Sequence, residues 1–212
     1  MRTSIYCYLL LISTACSTPS STTPTDGWIS LFNGKSLDGW KASENPATFS
    51  VDDGSILVHG PRAHLFYEGP VMDHDFENFE FKAQVMTTPG SNSGIFFHTE
   101  YQEEGWPAKG YEVQVNNSQS DWRRTGSIYG YDDVREVYVP DNEWYTQHII
   151  VQGNKVTVKL NDQTVVEYTE PKGAERSVGE QGKLLSSGTF ALQGHDPDSK
   201  VYYKDIMVKP LP

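Results

Sequence analysis

From residue 26 to the end of the chain, no stretch repeats apolar residues at helical spacing for three turns, whereas short alternating runs recur between turns rich in Gly, Pro, Asn and Asp. Alternation has the period of a strand, whose successive side chains point to opposite faces, so each run buries one face and leaves the other polar. About a dozen such runs restrict the fold to an all-β sandwich. Its expected form is two antiparallel sheets, one of which curves its outer face into a groove.

Turn chemistry specifies several pairings. Asp52-Asp53-Gly54 between 48–51 and 55–58 predicts a hairpin, and Gly153-Asn154 and Asn161-Asp162 join 144–151, 155–160 and 165–168 into a meander. The run 79–85 alternates without a break, and 189–193 and 201–208 close the chain before Pro210 and Pro212, which cannot donate to a ladder. Two polar segments, 99–109 and 169–187, carry no period and are expected as connections, the first long enough to serve a function.

The rest of the domain is organised around Gly110-Tyr111-Glu112-Val113-Gln114-Val115-Asn116. Tyr111, Val113 and Val115 share one face of a strand, and Glu112, Gln114 and Asn116 share the other, which is expected to turn toward solvent or a cleft. Ser93-Gly94-Ile95-Phe96-Phe97-His98 precedes it, Tyr129 follows, and Gln193-Gly194-His195 comes near the end. In a regular strand Phe96 and His98 share the face of Gly94.

Ahead of this domain, Arg2, an apolar run over 5–12 and the small residues Ser13-Thr14-Ala15 before Cys16 have the form of an export signal. The run is far short of the roughly 20 residues that span a bilayer. A Cys directly after small residues resembles the bacterial lipoprotein signal, which implies lipidation of Cys16 and an outer-membrane or cell-surface location. Ser13 stands where that signal usually has Leu, and ordinary secretion to the periplasm is the alternative. Residues 17–25, all Ser, Thr and Pro, are expected as a flexible tether, leaving 26–212 as one domain. Cys7 and Cys16 both precede that domain, so its stability cannot rest on disulfides, and thiolate nucleophiles and iron–sulfur clusters are excluded. Without Arg2, 16 Lys and Arg stand against 28 Asp and Glu, a net charge of about −12. Such a balance excludes nucleic acid as a partner and points to neutral or weakly polar ligands.

Five blocks in order carry a family resemblance: Leu31-Phe32-Asn33-Gly34-Lys35-Ser36-Leu37-Asp38-Gly39-Trp40, Asn92-Ser93-Gly94-Ile95, Gly110-Tyr111-Glu112-Val113-Gln114-Val115, Thr125-Gly126-Ser127-Ile128-Tyr129-Gly130, and Ala191-Leu192-Gln193-Gly194-His195. Together they resemble the 3-keto-disaccharide hydrolase family. The resemblance implies a jelly-roll sandwich of the concanavalin-like lectin and glucanase type, with a carbohydrate cleft on its concave sheet. It also implies an exported bacterial enzyme acting on neutral saccharides or disaccharides oxidised at C3.

Glucanases of this fold carry Glu-x-Asp-x-Glu on one concave strand; here Glu112, Gln114 and Asn116 hold that spacing, and two of the three are amides. Retaining and inverting glycosidases both need two carboxyl groups, so this motif supplies neither mechanism. A C3 ketone changes the requirement, because it makes the C2 proton acidic. One base can then remove that proton, the C1 leaving group departs by elimination, and water adds afterwards. Glu112 and His195 are the candidates for base and acid, with Gln114 orienting the substrate or stabilising the enolate. Lys204, which shares parity with Ile206 and Val208, is the candidate cation for the keto oxygen if a cleft lies on its face, or else emerges at a bulge. His98, Phe96, Trp106, Tyr129, Gln193 and Asn116 are the candidate substrate-binding residues, with Trp106 and Tyr129 suited to stack on a pyranose. A divalent ion held by His98, Glu100, Glu112 and His195 would also stabilise an enolate, although no local metal-ligand motif is present. Two other functions compete: a non-catalytic surface glycan-binding protein using the same cleft, and an adhesion protein whose sheet is flat around Glu112.

Overall fold

A computed structural model describes residues 26–212. Cys16 and the 17–25 tether lie outside the described residues.

Thirteen strands follow in order: β1 (Ile29–Ser30), β2 (Trp40–Ala42), β3 (Phe49–Asp52), β4 (Ser55–His59), β5 (Ala63–Tyr67), β6 (Phe79–Thr87), β7 (Ser93–Thr99), β8 (Tyr111–Val115), β9 (Tyr145–Gln152), β10 (Lys155–Leu160), β11 (Gln163–Thr169), β12 (Thr189–Gly194) and β13 (Lys200–Pro210). They form two antiparallel sheets, one of eight strands in the order β11-β10-β9-β6-β13-β4-β3 with β1 added against β13, and one of five in the order β2-β5-β12-β7-β8. This is the two-sheet jelly-roll sandwich expected from the alternation. The Asp52-Asp53-Gly54 hairpin forms with Asp52 opposite Ser55, and β9, β10 and β11 make the meander.

Strand β6 shows why alternation is decisive. Its odd-numbered residues from Phe79 to Thr87 are buried and the even ones half-buried, although it lies in the middle of its sheet between β9 and β13. Between the sheets Phe190 packs against Phe76, Phe79 and Phe81 at centroid separations of 4.7, 4.8 and 4.7 Å. Such aromatic pairs add about 0.5–1.5 kcal/mol each beyond area burial, which matters in a domain without disulfides.

The five-stranded sheet turns Ile95, Phe97, Tyr111, Val113, Val115 and Leu192 into the core. Its other face is set by register. Gln114 lies opposite Gly94, Leu192 opposite Ile95, and Gln193 opposite His64, which aligns Gln114, Gly94, Gln193 and His64 as one row across four strands. Beside it runs a second row, Glu112, Phe96, Ala191, Phe66 and Lys41.

Candidate functional site

The outer face of the five-stranded sheet floors a cleft of about 400 Å³ lined by Asn92, Phe96, Trp106, Tyr111, Glu112, Gln114, Asp121, Tyr129, Tyr131, Glu180, Lys183, Gln193 and His195. The volume falls within the roughly 300–1,000 Å³ usual for small-molecule sites. A flat sheet around Glu112, which the adhesion reading required, is not found.

Glu112 lies at the floor. Its carboxylate leans diagonally over Gly94: a methyl on that glycine would stand 2.2 Å from Oε1. The space that Gly94 leaves is therefore filled by the carboxylate. Across it, Nε2 of Gln193 donates a 2.7 Å hydrogen bond to Oε1. Burial pushes the Glu112 carboxyl up to about 7, against the Gln193 hydrogen bond and the charge of Lys183, while Asp121 adds to the rise. Removing a carboxylate from water disfavours its charged form, and a base of this kind takes and returns a proton near neutrality.

Gln114 donates from Nε2 to Oδ1 of Asn92 at 2.9 Å. The Oε1 atoms of Gln114 and Gln193 are buried without a hydrogen-bond partner. Two unpaired acceptors beside a carboxylate suit a ligand rich in hydroxyl groups. His195 pairs through Nδ1 with Oδ2 of Asp196 at 2.6 Å, which leaves Nε2 for a ligand. Partial burial raises the Asp196 carboxyl, but hydrogen bonds from His195, Ser199 and the backbone N–H groups of Asp198 and Ser199 outweigh it and hold the group below the usual range. Phe96 floors the cleft, Trp106 stands at one end 5.6 Å from the His195 ring, and Tyr129 at its wall donates to Oδ2 of Asp121 at 3.2 Å.

Three expected site residues are placed elsewhere. Strand β7 is bulged, with Phe96 opposite Ala191 but Thr99 opposite Thr189, and His98 takes a left-handed φ of +55° there. Its ring turns away from the cleft, with Nε2 2.8 Å from the carbonyl of Glu77 and Nδ1 accepting from the Ser186 N–H. Burial lowers its pKa and holds it neutral. His98 is thus unavailable to join Glu100, Glu112 and His195 as a metal ligand; among the described residues no three His, Cys, Asp or Glu come together as a metal site. Asn116 lies past the end of β8, where its amide binds the carbonyls of Asp121 and Arg123 and accepts from Gln119 N–H and Arg124, so it holds the loop instead of a sugar. Lys204 is on the eight-stranded sheet. A bulge at Asp205, with φ +49°, lets Ile206 and Val208 point inward while Lys204 stays on the outer face, 4.0 Å above the Trp144 ring.

The cation in the cleft is Lys183, from the connection 169–187. That segment is fixed by contacts that no sequence period signals. Arg176 reaches Tyr111, Glu170 and the Lys183 carbonyl. Gly110 N–H donates to the Gly182 carbonyl at 2.9 Å, and a side chain at Gly182 would stand 2.5 Å from the Ala108 carbonyl. Lys183 donates through Nζ to the Pro107 carbonyl and lies 5.4 Å from the Phe96 ring centroid. Burial lowers its pKa, against the charges of Glu112 and Glu180. An ammonium has three protons, so two remain for a ligand.

Asp121 and Glu180 also reach the cleft, so Glu112 is not its only carboxylate. Asp121, however, is engaged by Arg123 at 3.6 Å and by Tyr129, and its loop position gave no sign of this.

Comparisons with known proteins agree with this architecture. A 28% identical relative, the 3-keto-disaccharide hydrolase of Bacteroides thetaiotaomicron, aligns over 88% of this chain and 79% of its own. A Parabacteroides distasonis structure provisionally called a glycosyl hydrolase superposes with a TM-score of 0.73 at 24% identity, covering 88% of this chain and 94% of that one. An endo-β-1,3(4)-glucanase shares the fold at a TM-score of 0.55 and 10% identity, covering 85% and 88%. Residues 27–209 match the 3-keto-alpha-glucoside-1,2-lyase-like domain, and the chain belongs to that family.

Proposed function

We propose that the protein cleaves the glycosidic bond of 3-keto glycosides by elimination and hydration, with Glu112 as the base. Glu112 takes the C2 proton, and the electron pair forms an enolate whose oxygen is stabilised by the Lys183 ammonium, in the role first expected of Lys204. Re-formation of the ketone expels the C1 oxygen as C1=C2 forms, and His195 gives that oxygen a proton. Water then adds its hydroxyl to C1, its other proton passing to His195, and protonated Glu112 returns a proton to C2, which restores both groups. The sum is hydrolysis. Gln114 orients the keto sugar through its free carbonyl oxygen, and Gln193 steadies Glu112 through its Nε2.

The observation that supports this reading is the Glu112 carboxyl, raised to about 7 at the floor of the cleft and facing a lysine. Family membership supports the substrate class. The test is hydrolysis in D2O of a 3-keto disaccharide and of its unoxidised parent. Elimination and hydration label C2 of the released keto sugar at early times to the extent that the Glu112 proton exchanges with solvent, and deuterium at C2 of the substrate should slow turnover; absence of both label and isotope effect, or equal cleavage of the parent, would overturn the reading. Glu112→Gln should abolish cleavage while leaving the fold intact.

A glycan-binding protein without turnover is the second reading, favoured by amides at 114 and 116 where glucanases of this fold carry carboxylates. It predicts binding and no new product in the same experiment. We further propose that the domain is displayed as a lipoprotein through Cys16, with periplasmic secretion as the alternative; mass analysis of membrane-extracted protein distinguishes them.

A further inference from the structure

His64 is fully buried on β5, and neither ring nitrogen has a hydrogen-bond partner. A neutral imidazole carries one donor and one acceptor, and leaving both unmade in the interior is unfavourable. Phenylalanine would fill the same place without that penalty, so the imidazole calls for an explanation other than packing.

Its position supplies one. His64 continues the row of Gln114, Gly94 and Gln193, directly beside Gln193, whose Oε1 is also buried and unpaired. It is covered edge-on by two cleft residues, Phe96 at 5.3 Å and Trp106 at 5.5 Å. Trp106 is 46% exposed and comes from a segment without regular structure. That segment's backbone is pinned by Gln102, which donates to the Trp106 carbonyl, and by Glu44, which accepts from Gly105 N–H. These contacts hold the backbone and leave the indole itself bounded by the rings of His64 and His195 and by the Arg62 guanidinium, 5.5 Å from its centroid.

We infer that the strip between Gln193 and His64 is a second sugar subsite, which takes the leaving half of a disaccharide. Trp106 turns off His64 to stack on that ring, and the imidazole and Gln193 Oε1 bind its hydroxyl groups. The assignment of this half as the leaving one rests on the reaction proposed above. His195, the acid for the leaving oxygen, is beside Trp106, so the departing sugar extends toward Trp106 and His64. The ligand class is a neutral pyranose, since the strip offers an aromatic face and the uncharged groups of Gln193 and His64, while the charges nearest His64, Glu44 and Arg62, are paired with each other at 2.9 Å.

Two measurements on the intact domain test it. The first is binding of the unoxidised disaccharide, followed by the ring-nitrogen signals of His64 and the indole signal of Trp106. Both should shift, and His64→Phe should weaken binding about tenfold, the effect of one or two neutral hydrogen bonds. Absence of binding, or binding that leaves the His64 signals in place, overturns the subsite. The second compares a 3-keto disaccharide with the corresponding methyl 3-keto glycoside, which lacks the second ring. His64→Phe and Trp106→Ala should lower kcat/KM for the disaccharide at least fivefold more than for the methyl glycoside; equal losses on both would indicate a structural defect and overturn it. If wild type turns over neither compound, the proposed reaction fails while the binding experiment still decides the subsite. Thermal unfolding monitors the fold, and His64→Phe is expected to raise Tm.

Discussion

The Glu112 carboxylate crosses over Gly94 to accept a 2.7 Å hydrogen bond from Nε2 of Gln193, a residue two strands away. The intervening strand can be crossed because it presents no side chain at that point. A methyl there would meet Oε1 at 2.2 Å. Gly94→Ala should therefore dislodge the carboxylate without straining the backbone, which is in ordinary strand conformation. The expected result is a fall in kcat of about 10²-fold or more, the scale of misplacing a catalytic group by about 1 Å, with far-ultraviolet circular dichroism unchanged.

Because the base must be ionised to act, activity should follow the Glu112 titration. With its carboxyl raised to about 7, kcat/KM on a 3-keto glycoside should climb tenfold per pH unit below that value and level off above it. A profile already flat from about pH 5 would show that another group is the base.

The same shift affects stability. Unfolded, Glu112 ionises near 4.5; folded, near 7. Between those values the native state binds more protons than the unfolded chain, so stability falls as pH rises through this window, and the loss is complete above it. Glu112→Gln removes this dependence. At pH about 8 the variant should be more stable than wild type by up to about 3 kcal/mol, and at pH about 4 the two should converge, as read by urea unfolding.

Lys183 and Lys204 offer a paired experiment. Lys183→Met removes the ammonium facing Glu112 and should lower kcat by about 10²–10³-fold, the usual cost of losing one donor to a developing oxyanion. Lys204→Met, on the far sheet against Trp144, should change kcat less than about twofold.

Asn116 is expected to act through the fold. Its buried amide makes four hydrogen bonds to the 119–124 loop. Asn116→Ala should cost about 1–3 kcal/mol by leaving those groups unpaired, measured by urea unfolding.

Where the sequence was legible, the information was local. The facing of Glu112 and Gln114, the Asp52-Asp53-Gly54 hairpin and the β9–β11 meander each follow from side-chain period and turn chemistry within about ten residues. His98 misled because one residue inserted at a bulge reverses the parity on which such a reading depends, and at Lys204 the structure takes the bulge that the sequence left open as the alternative to a cleft.

By itself, then, the amino-acid order determined the all-β sandwich and the direction of the polar row, since alternation has only one way to bury its apolar half. Tertiary structure alone decided that Lys183 would be the cleft's cation, that Asp121 would reach its wall, and that His64 would align with Gln193. Those placements depend on strand order and on how aperiodic loops lie against distant segments. Long-range register and loop packing leave no periodic trace in the chain that adopts them.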